Sequence, residues 1–580
     1  MQAGFVSGQR AAMMKKVSRE DSSLMSDKEH KLIGTLKQQL ADKKIDRREF
    51  VRYAALLGMA VPTAYMWAGK ITGEDFVPQA RAQDMPMGGI IKIAQRIPKV
   101  ENPHTFSWVY DSNIVRQTVG YLTRTGVDNV TRPHLCSKWE ASEDLKTWTL
   151  TIADAKWHKG GAFTAEHAAW NIKHCLDPKV GSSVVGLMKG YMLKDVDTGT
   201  KDDAGNPVMT TELWDANAIE VKDAKTLVLN LKEAQVAVPE HLFHYPFLML
   251  DPEENGAYGV GSNGTESFEL VELEVGRKAV LKRRPDSPGY VDELHFIDLG
   301  DNPAAVAAAL ASKQVDGIYQ GNIEQFDLYK GMPHVDIHEA VTAQTAVARM
   351  RLDQKPFDNP LVRKAVRLAT DPDKTLQIAH KGVGQAAEHH HVCSVHPDYK
   401  KLDPMGYKIE EAKKLLAEAG FPDGIDVEIA CKPDPSWEQA AVEAMAEQWK
   451  AAGIRAKINV MPSNKFWEVW DKVPFGFTEW THRPLGFMVL ALAYRTGVPW
   501  NESAYSNAKF DELLTKAEGT LDVDARREII GELEKIMQED GPITQPLWRS
   551  VYAAYDKRVK GFQVHPTLYI FGETLAISPA

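Results

Sequence analysis

The stretch from Pro133 to Pro178 constrains the fold more than any other part of the chain. In it Trp148, Leu150 and Ile152 alternate with Thr147, Thr149 and Thr151. A period of two among β-branched and aromatic residues predicts a half-buried strand. The polar run Glu143-Asp144-Leu145-Lys146 predicts a turn before it, and Gly160-Gly161 ends the short run that follows. Thr164 then offers an N-cap oxygen, and Glu166 puts negative charge into a first helical turn. Ala165, Ala168, Ala169, Ile172, Cys175 and Leu176 recur at helical spacing, so one face is apolar, and Asp177-Pro178 stops the helix. The order is strand, turn, strand, helix.

Within this stretch, Trp139-Glu140-Ala141-Ser142, Lys156-Trp157-His158-Lys159-Gly160, Phe163-Thr164-Ala165-Glu166 and Asp177-Pro178 stand in a diagnostic order. Together they resemble the signature of the extracytoplasmic solute-binding proteins of ABC importers, in the peptide/nickel-binding family (family 5, dipeptide- and oligopeptide-binding-protein-like). Two further stretches carry the same resemblance: Pro356-Phe357-Asp358-Asn359 running on through Val362-Arg363-Lys364-Ala365, and Tyr505-Ser506-Asn507 with Phe510-Asp511. The segment Gly264 to Pro285 follows the family pattern except that Glu266-Ser267 replaces its Gly-Pro pair.

The resemblance spans about Gly89 to Phe562. It implies an α/β fold of the periplasmic-binding-protein type: two mixed α/β lobes joined by a two-crossing hinge, plus an extra subdomain. By analogy one lobe takes 83–115, 246–342 and 546–580, the extra subdomain takes 116–245, and the other lobe takes 343–545. The family implies a small-molecule solute enclosed between the lobes, an ABC permease as partner, a monomer, no cofactor and a periplasmic location.

Composition narrows the alternatives. An apolar fraction of 44% with 26% charged residues is that of a soluble globular chain. The net charge of −10, with no basic block beyond the N-terminal region, argues against nucleic acid. Four scattered cysteines make no disulfide framework or zinc cluster. Cys136 and Cys175 fit either two buried thiols or a pair. Fourteen tryptophans suit an aromatic-lined pocket.

Residues 1–46 are polar and charged and read as a disordered leader, with Met25 as an alternative start. Arg47-Arg48 followed by the apolar run Tyr53 to Ala68 resembles a twin-arginine export signal. Ala80-Arg81-Ala82 fits the small-x-small cleavage rule, with Gln83 as the mature start. Further on, Lys194 to Asn217 reads as a surface loop and Ala218 to Leu231 as a hairpin.

No phosphate-cradling glycine loop, G-x-S-x-G or H-E-x-x-H occurs. The metal-like cluster is His389-His390-His391 with His396; a secreted metal-dependent enzyme using it is the alternative function. Adjacent histidines on an extended chain point to opposite faces, so at most two of the three converge. The candidate ligand site centres on Trp480, His482 and Arg483. By the resemblance, Arg483 stands where dipeptide-binding relatives hold the peptide ammonium with an aspartate, and Lys432 lies near their carboxylate-binding arginine. An arginine there suits a ligand bearing an acid group, unless Arg483 pairs internally with Glu479 or Glu266. Glu266, Ser267 and Tyr110 complete the candidate set. No residue is assigned to a metal.

Overall fold

The computed structural model describes residues 29–73, 85–201, 205 and 207–579. The cleavage-site residues 80–82 and Met25 lie outside the described residues.

The constraining stretch folds as its periodicity predicts. In the strand Thr147–Ile152, Trp148, Leu150 and Ile152 are buried and the threonines between them half-buried. It pairs antiparallel with Cys136–Ala141 on one edge and Thr226–Asn230 on the other. Thr226–Asn230 and Ile219–Asp223 form the expected hairpin, completing a four-stranded sheet. The helix Ala165–Leu176 packs on that sheet. At its start the Thr164 N–H donates to His167 Nδ1 (3.2 Å).

The 194–217 segment is not a loop. Leu193–Lys201 and Pro207–Leu213 pair as an antiparallel ribbon. Its side chains are mostly exposed on both faces, so no apolar alternation marked it in the sequence. Cys136 and Cys175 are free, buried thiols. Burial pushes the Cys136 thiol up to about 12, which suits a packing residue.

The main sheet has twelve strands. One half runs through Phe268–Glu274, Lys278–Arg283, Glu293–Ile297, Ile90–Ala94 and Gly317–Ile318. The other half runs through Phe475–Trp480, Ile425–Cys431 and Ile454–Val460. Two long strands, Val335–Met350 and Leu547–Asp556, lie between them. They pair from Val335↔Asp556 to Ala340↔Val551, lose register, and resume at Gln344↔Arg549. Beyond that bulge Thr345 to Met350 pair with Phe475–Trp480. A bulge bends a strand and raises its twist. Here it falls where Val335–Met350 gains Phe475–Trp480 as a partner, between the two halves of the sheet. The register shift spans 341–343, and the partner strand starts at Leu547.

The N-terminal segment departs from the disorder expected up to residue 46. Helices Leu32–Ala41, Arg47–Leu56 and Val61–Thr72 form a cap joined to the main core. Asp46 and Glu49 close a capping box around the start of the twin-arginine helix. Phe50, Val51, Tyr53, Ala54, Ala55 and Leu56 are buried. The Trp139 indole N–H donates to the Leu56 carbonyl (2.9 Å) and the Arg52 guanidinium to the Pro484 carbonyl (3.2 Å). Gly58 turns beside Trp139 at φ +89°, where a Cβ would meet the Trp139 carbonyl oxygen at 2.7 Å. Among the described residues no helix is long and apolar enough to cross a membrane.

Candidate functional site

A cleft opens between the lobes where the strands of both halves end. Arg96 leaves the strand Ile90–Ala94 on one side, with Tyr319 beyond Gly317–Ile318. Lys432 and Asp434 follow the strand Ile425–Cys431 on the other side, with Glu479 in Phe475–Trp480. Trp108, Tyr110 and Trp467 supply aromatic walls. The cavity between these walls measures about 90 Å³.

The lobes touch across this cleft. Arg96 Nη2 lies 2.9 Å from Asp434 on the far lobe while Asp298 and Asp301 hold the same guanidinium from its own side. Ser436 Oγ donates to Glu324 (2.6 Å). Trp108 and Trp467 meet with ring centroids 5.0 Å apart.

The floor on the second lobe is a buried charge network. Lys432 Nζ contacts Glu438, lies 3.5 Å from Glu479 and donates to the Asp434 carbonyl (2.9 Å). Glu479 also accepts from Gln344 Nε2 (2.5 Å) and lies 3.3 Å from Arg549. Burial pulls the Lys432 pKa down, but Glu438 and Glu479 outweigh it, and the ammonium ends above its ordinary range. Burial drives Glu438 well above the carboxylate range, against the pull of Lys432.

Four residues lining the cleft carry buried polar atoms that find no hydrogen-bond partner among the described residues: Gln95 Oε1, Tyr319 Oη, Gln320 Nε2 and Ser463 Oγ. Each such atom left unpaired costs roughly 1–3 kcal/mol. Both lobes contribute to the set, and it holds acceptor as well as donor capacity.

Of the residues singled out in the sequence, Tyr110 and Lys432 line this cleft. Trp480 stands behind it: its indole N–H donates to Glu502 (2.9 Å), and its ring meets Trp500 and His391 edge-on. His482 is buried and held well below its ordinary pKa, chiefly by desolvation. Its Nδ1 accepts from the Ala343 N–H (3.1 Å) at the strand bulge. Glu266 and Ser267 lie outside the cleft lining: Glu266 pairs with His134 (2.8 Å), and the Ser267 carbonyl accepts from the Arg284 N–H. Arg483 pairs with neither Glu479 nor Glu266. It donates to the His482 carbonyl (3.0 Å) and to Thr481, and faces the Tyr245 ring at 5.2 Å.

Sequence reasoning missed Arg96, Trp108 and Tyr319, which become a site only through the sheet order.

The histidine cluster is dispersed into packing. His389 Nδ1 accepts from the Gln545 N–H (2.9 Å), His390 Nε2 meets Glu388 (2.9 Å), and His391 packs on Trp480 and Tyr494. Left-handed backbone at His389 and His391 (φ 63° and 72°) breaks the extended alternation assumed from sequence. Among the described residues no group of three metal-ligating side chains is placed to hold an ion.

The fold and the enclosed cleft define a two-lobed solute-binding protein. The family model for bacterial extracellular solute-binding proteins, family 5 Middle, matches residues 131–497, and the chain belongs to that family. It is 24% identical over 515 residues to the dipeptide-binding protein DppE of Bacillus subtilis, covering 80% of this chain and 86% of that one. It is 24% identical over 483 residues to the periplasmic oligopeptide-binding protein OppA of Haemophilus influenzae, covering 76% and 85%. Among solved structures, the binding protein AgaA of A. tumefaciens in complex with agropinic acid superposes with a TM-score of 0.74. That match covers 85% of this chain and 99% of AgaA at 20% identity. The metal-dependent enzyme alternative finds no support in these relatives.

Proposed function

We propose that the protein captures a small peptide-like or acid-bearing solute between its lobes and delivers it to the permease of an ABC importer. The supporting observation is the set of four unpartnered polar atoms, contributed by both lobes, around a cleft that the lobes close. A solute offering complementary donors and acceptors satisfies them only in the closed form, so it favours closure by that differential affinity. Tyr110 and Lys432 form part of the solute-facing wall. Trp480 and His482 hold the wall's position from behind, at the strand end and the hinge bulge. Relatives named for dipeptides and oligopeptides favour a peptide-like solute. No catalysis is required of the protein. The twin-arginine motif supports export of the folded chain to the periplasm, where it acts as a monomer.

A thermal-shift screen of peptides and small acids tests this reading, because a ligand that binds only the native state raises the melting temperature with concentration. Each hit should be recovered chemically unchanged. Recovery of an altered molecule, or no stabilising solute in a broad panel, would contradict the proposal.

A further inference from the structure

Behind the cleft lies a second, small enclosed space that the solute-binding reading leaves unused. Arg483, His244, His565, Thr567, Thr125, Glu240 and the ring of Tyr569 line it. Arg483 is 4% exposed; among the described residues its Nε has no hydrogen-bond partner, and its bonds go to backbone carbonyls and Thr481. Arg116 lies 3.9 Å over the Tyr569 ring and is 5% exposed. The Arg116 side chain donates to Ser112 (2.8 Å), and among the described residues its Nε and Nη1 find no hydrogen-bond partner.

Among the described residues neither guanidinium has a carboxylate in ion-pair contact. Glu240 is the acid that lines the space, and its two oxygens accept from Thr125 (2.9 Å) and Thr131. His244 and His565 are kept neutral by burial. Two buried cations with unspent donors and no counter-ion are costly unless an anion joins them. A guanidinium offers paired N–H groups that match a carboxylate. The space stands back to back with the cleft: Tyr245, under Arg483, donates to the Ser107 carbonyl next to Trp108 of the cleft wall (3.1 Å).

We propose that this space is an anion subsite that receives one carboxylate head group, with Arg483 as its direct partner and Arg116 reinforcing the charge through Tyr569. Where the carboxylate belongs to the captured solute, the proposal rests on the solute-binding reading and specifies an acid-bearing ligand. Where it is a free anion, the subsite stands by itself.

The test is thermal melting of the full chain in sodium methanesulfonate, which carries no carboxylate, at constant ionic strength, titrated with formate or with formamide, its neutral counterpart of the same size. Formate should raise the melting temperature in a saturable way and formamide should not. Arg483→Gln should weaken formate binding by roughly ten- to a hundredfold, the worth of one charged hydrogen bond. Arg116→Gln should weaken it less, and Arg483→Lys, which keeps a charge should the glutamine variant not fold, should retain part of it. Equal responses to both probes, no response to formate, or unchanged formate affinity in the variants would overturn the proposal. Trialanine and its C-terminal amide separate the sources. Competition between the trialanine acid and formate assigns the subsite to the solute, and additive effects assign it to a free anion. If trialanine stabilises the protein and formate does not, the subsite falls while the solute-binding reading stands.

Discussion

Replacing Lys432 by methionine probes the floor of the cleft most sharply. The substitution keeps the volume of the stem and removes the charge between Glu438 and Glu479. At 3.5 Å, an effective dielectric of about 20 gives roughly 5 kcal/mol of attraction to Glu479 alone. Glu479 keeps Arg549 at 3.3 Å and is partly compensated. Among the described residues Glu438 pairs with no other cation and one of its oxygens is already unpartnered, so it bears most of the loss. Stranding a buried charge typically costs about 3–5 kcal/mol, and that is the destabilisation expected once the pH is high enough to ionise Glu438.

The sign of the pH dependence follows from Glu438. Burial already raises its folded-state pKa above the unfolded value, and losing Lys432 raises it further. Such a group contributes stability below its unfolded pKa and loses that contribution as pH rises through the folded value. The deficit of Lys432→Met should therefore be small at about pH 5, where Glu438 can hold a proton, and largest at about pH 8. Urea unfolding followed by tryptophan fluorescence at the two pH values reads it. A deficit below about 1 kcal/mol at both, as for exposed ion pairs, would show that the network is solvated and refute the reasoning.

Further predictions test the lobes, the cap and one isolated acid. Asp434→Ala should barely change overall stability, since Asp298 and Asp301 still hold Arg96, but it should shift the lobes toward the open form, visible as a larger radius of gyration in X-ray scattering. The chain lacking residues 1–82 should be less stable than the full chain by at least about 2 kcal/mol, since the burial of Phe50, Val51 and Leu56 is lost; equal melting temperatures would show that the cap does not dock in solution. Changing Arg47 and Arg48 both to Lys should leave precursor in the cytoplasm, and a normal periplasmic yield would remove the export assignment. Desolvation raises Asp111 to about 8, so its contribution to stability is present at low pH and lost as pH rises through that value; Asp111→Asn should flatten the fall in stability toward alkaline pH in urea titrations.

What the sequence displayed follows from the range of the interactions involved. Trp148, Leu150 and Ile152 alternate because their neighbours lie one strand away, so the pattern is written locally and the strand forms as read. The ribbon 193–213 buries little on either face and leaves no such trace. The cap helices looked like a leader because their apolar face is short. Its complement, including Trp139 and the Pro484 carbonyl, comes from distant segments. The cleft is long-range throughout: Arg96 and Asp434 meet because the sheet places Ile90–Ala94 and Ile425–Cys431 in opposite halves. Lys432 was legible by family analogy. The partners of Arg483 were not, because neither Glu479 nor Glu266 is free to pair with it.

The central claim, that the lobes close on a solute, is tested most directly by the distance between them. Spin labels at exposed Ser312→Cys on one lobe and exposed Ala417→Cys on the other report it, since the native cysteines are all buried. With a casein hydrolysate, or with a solute that raises the melting temperature, the distance distribution should narrow and move to shorter values. A stabilising solute that leaves the distribution unchanged would contradict capture by closure.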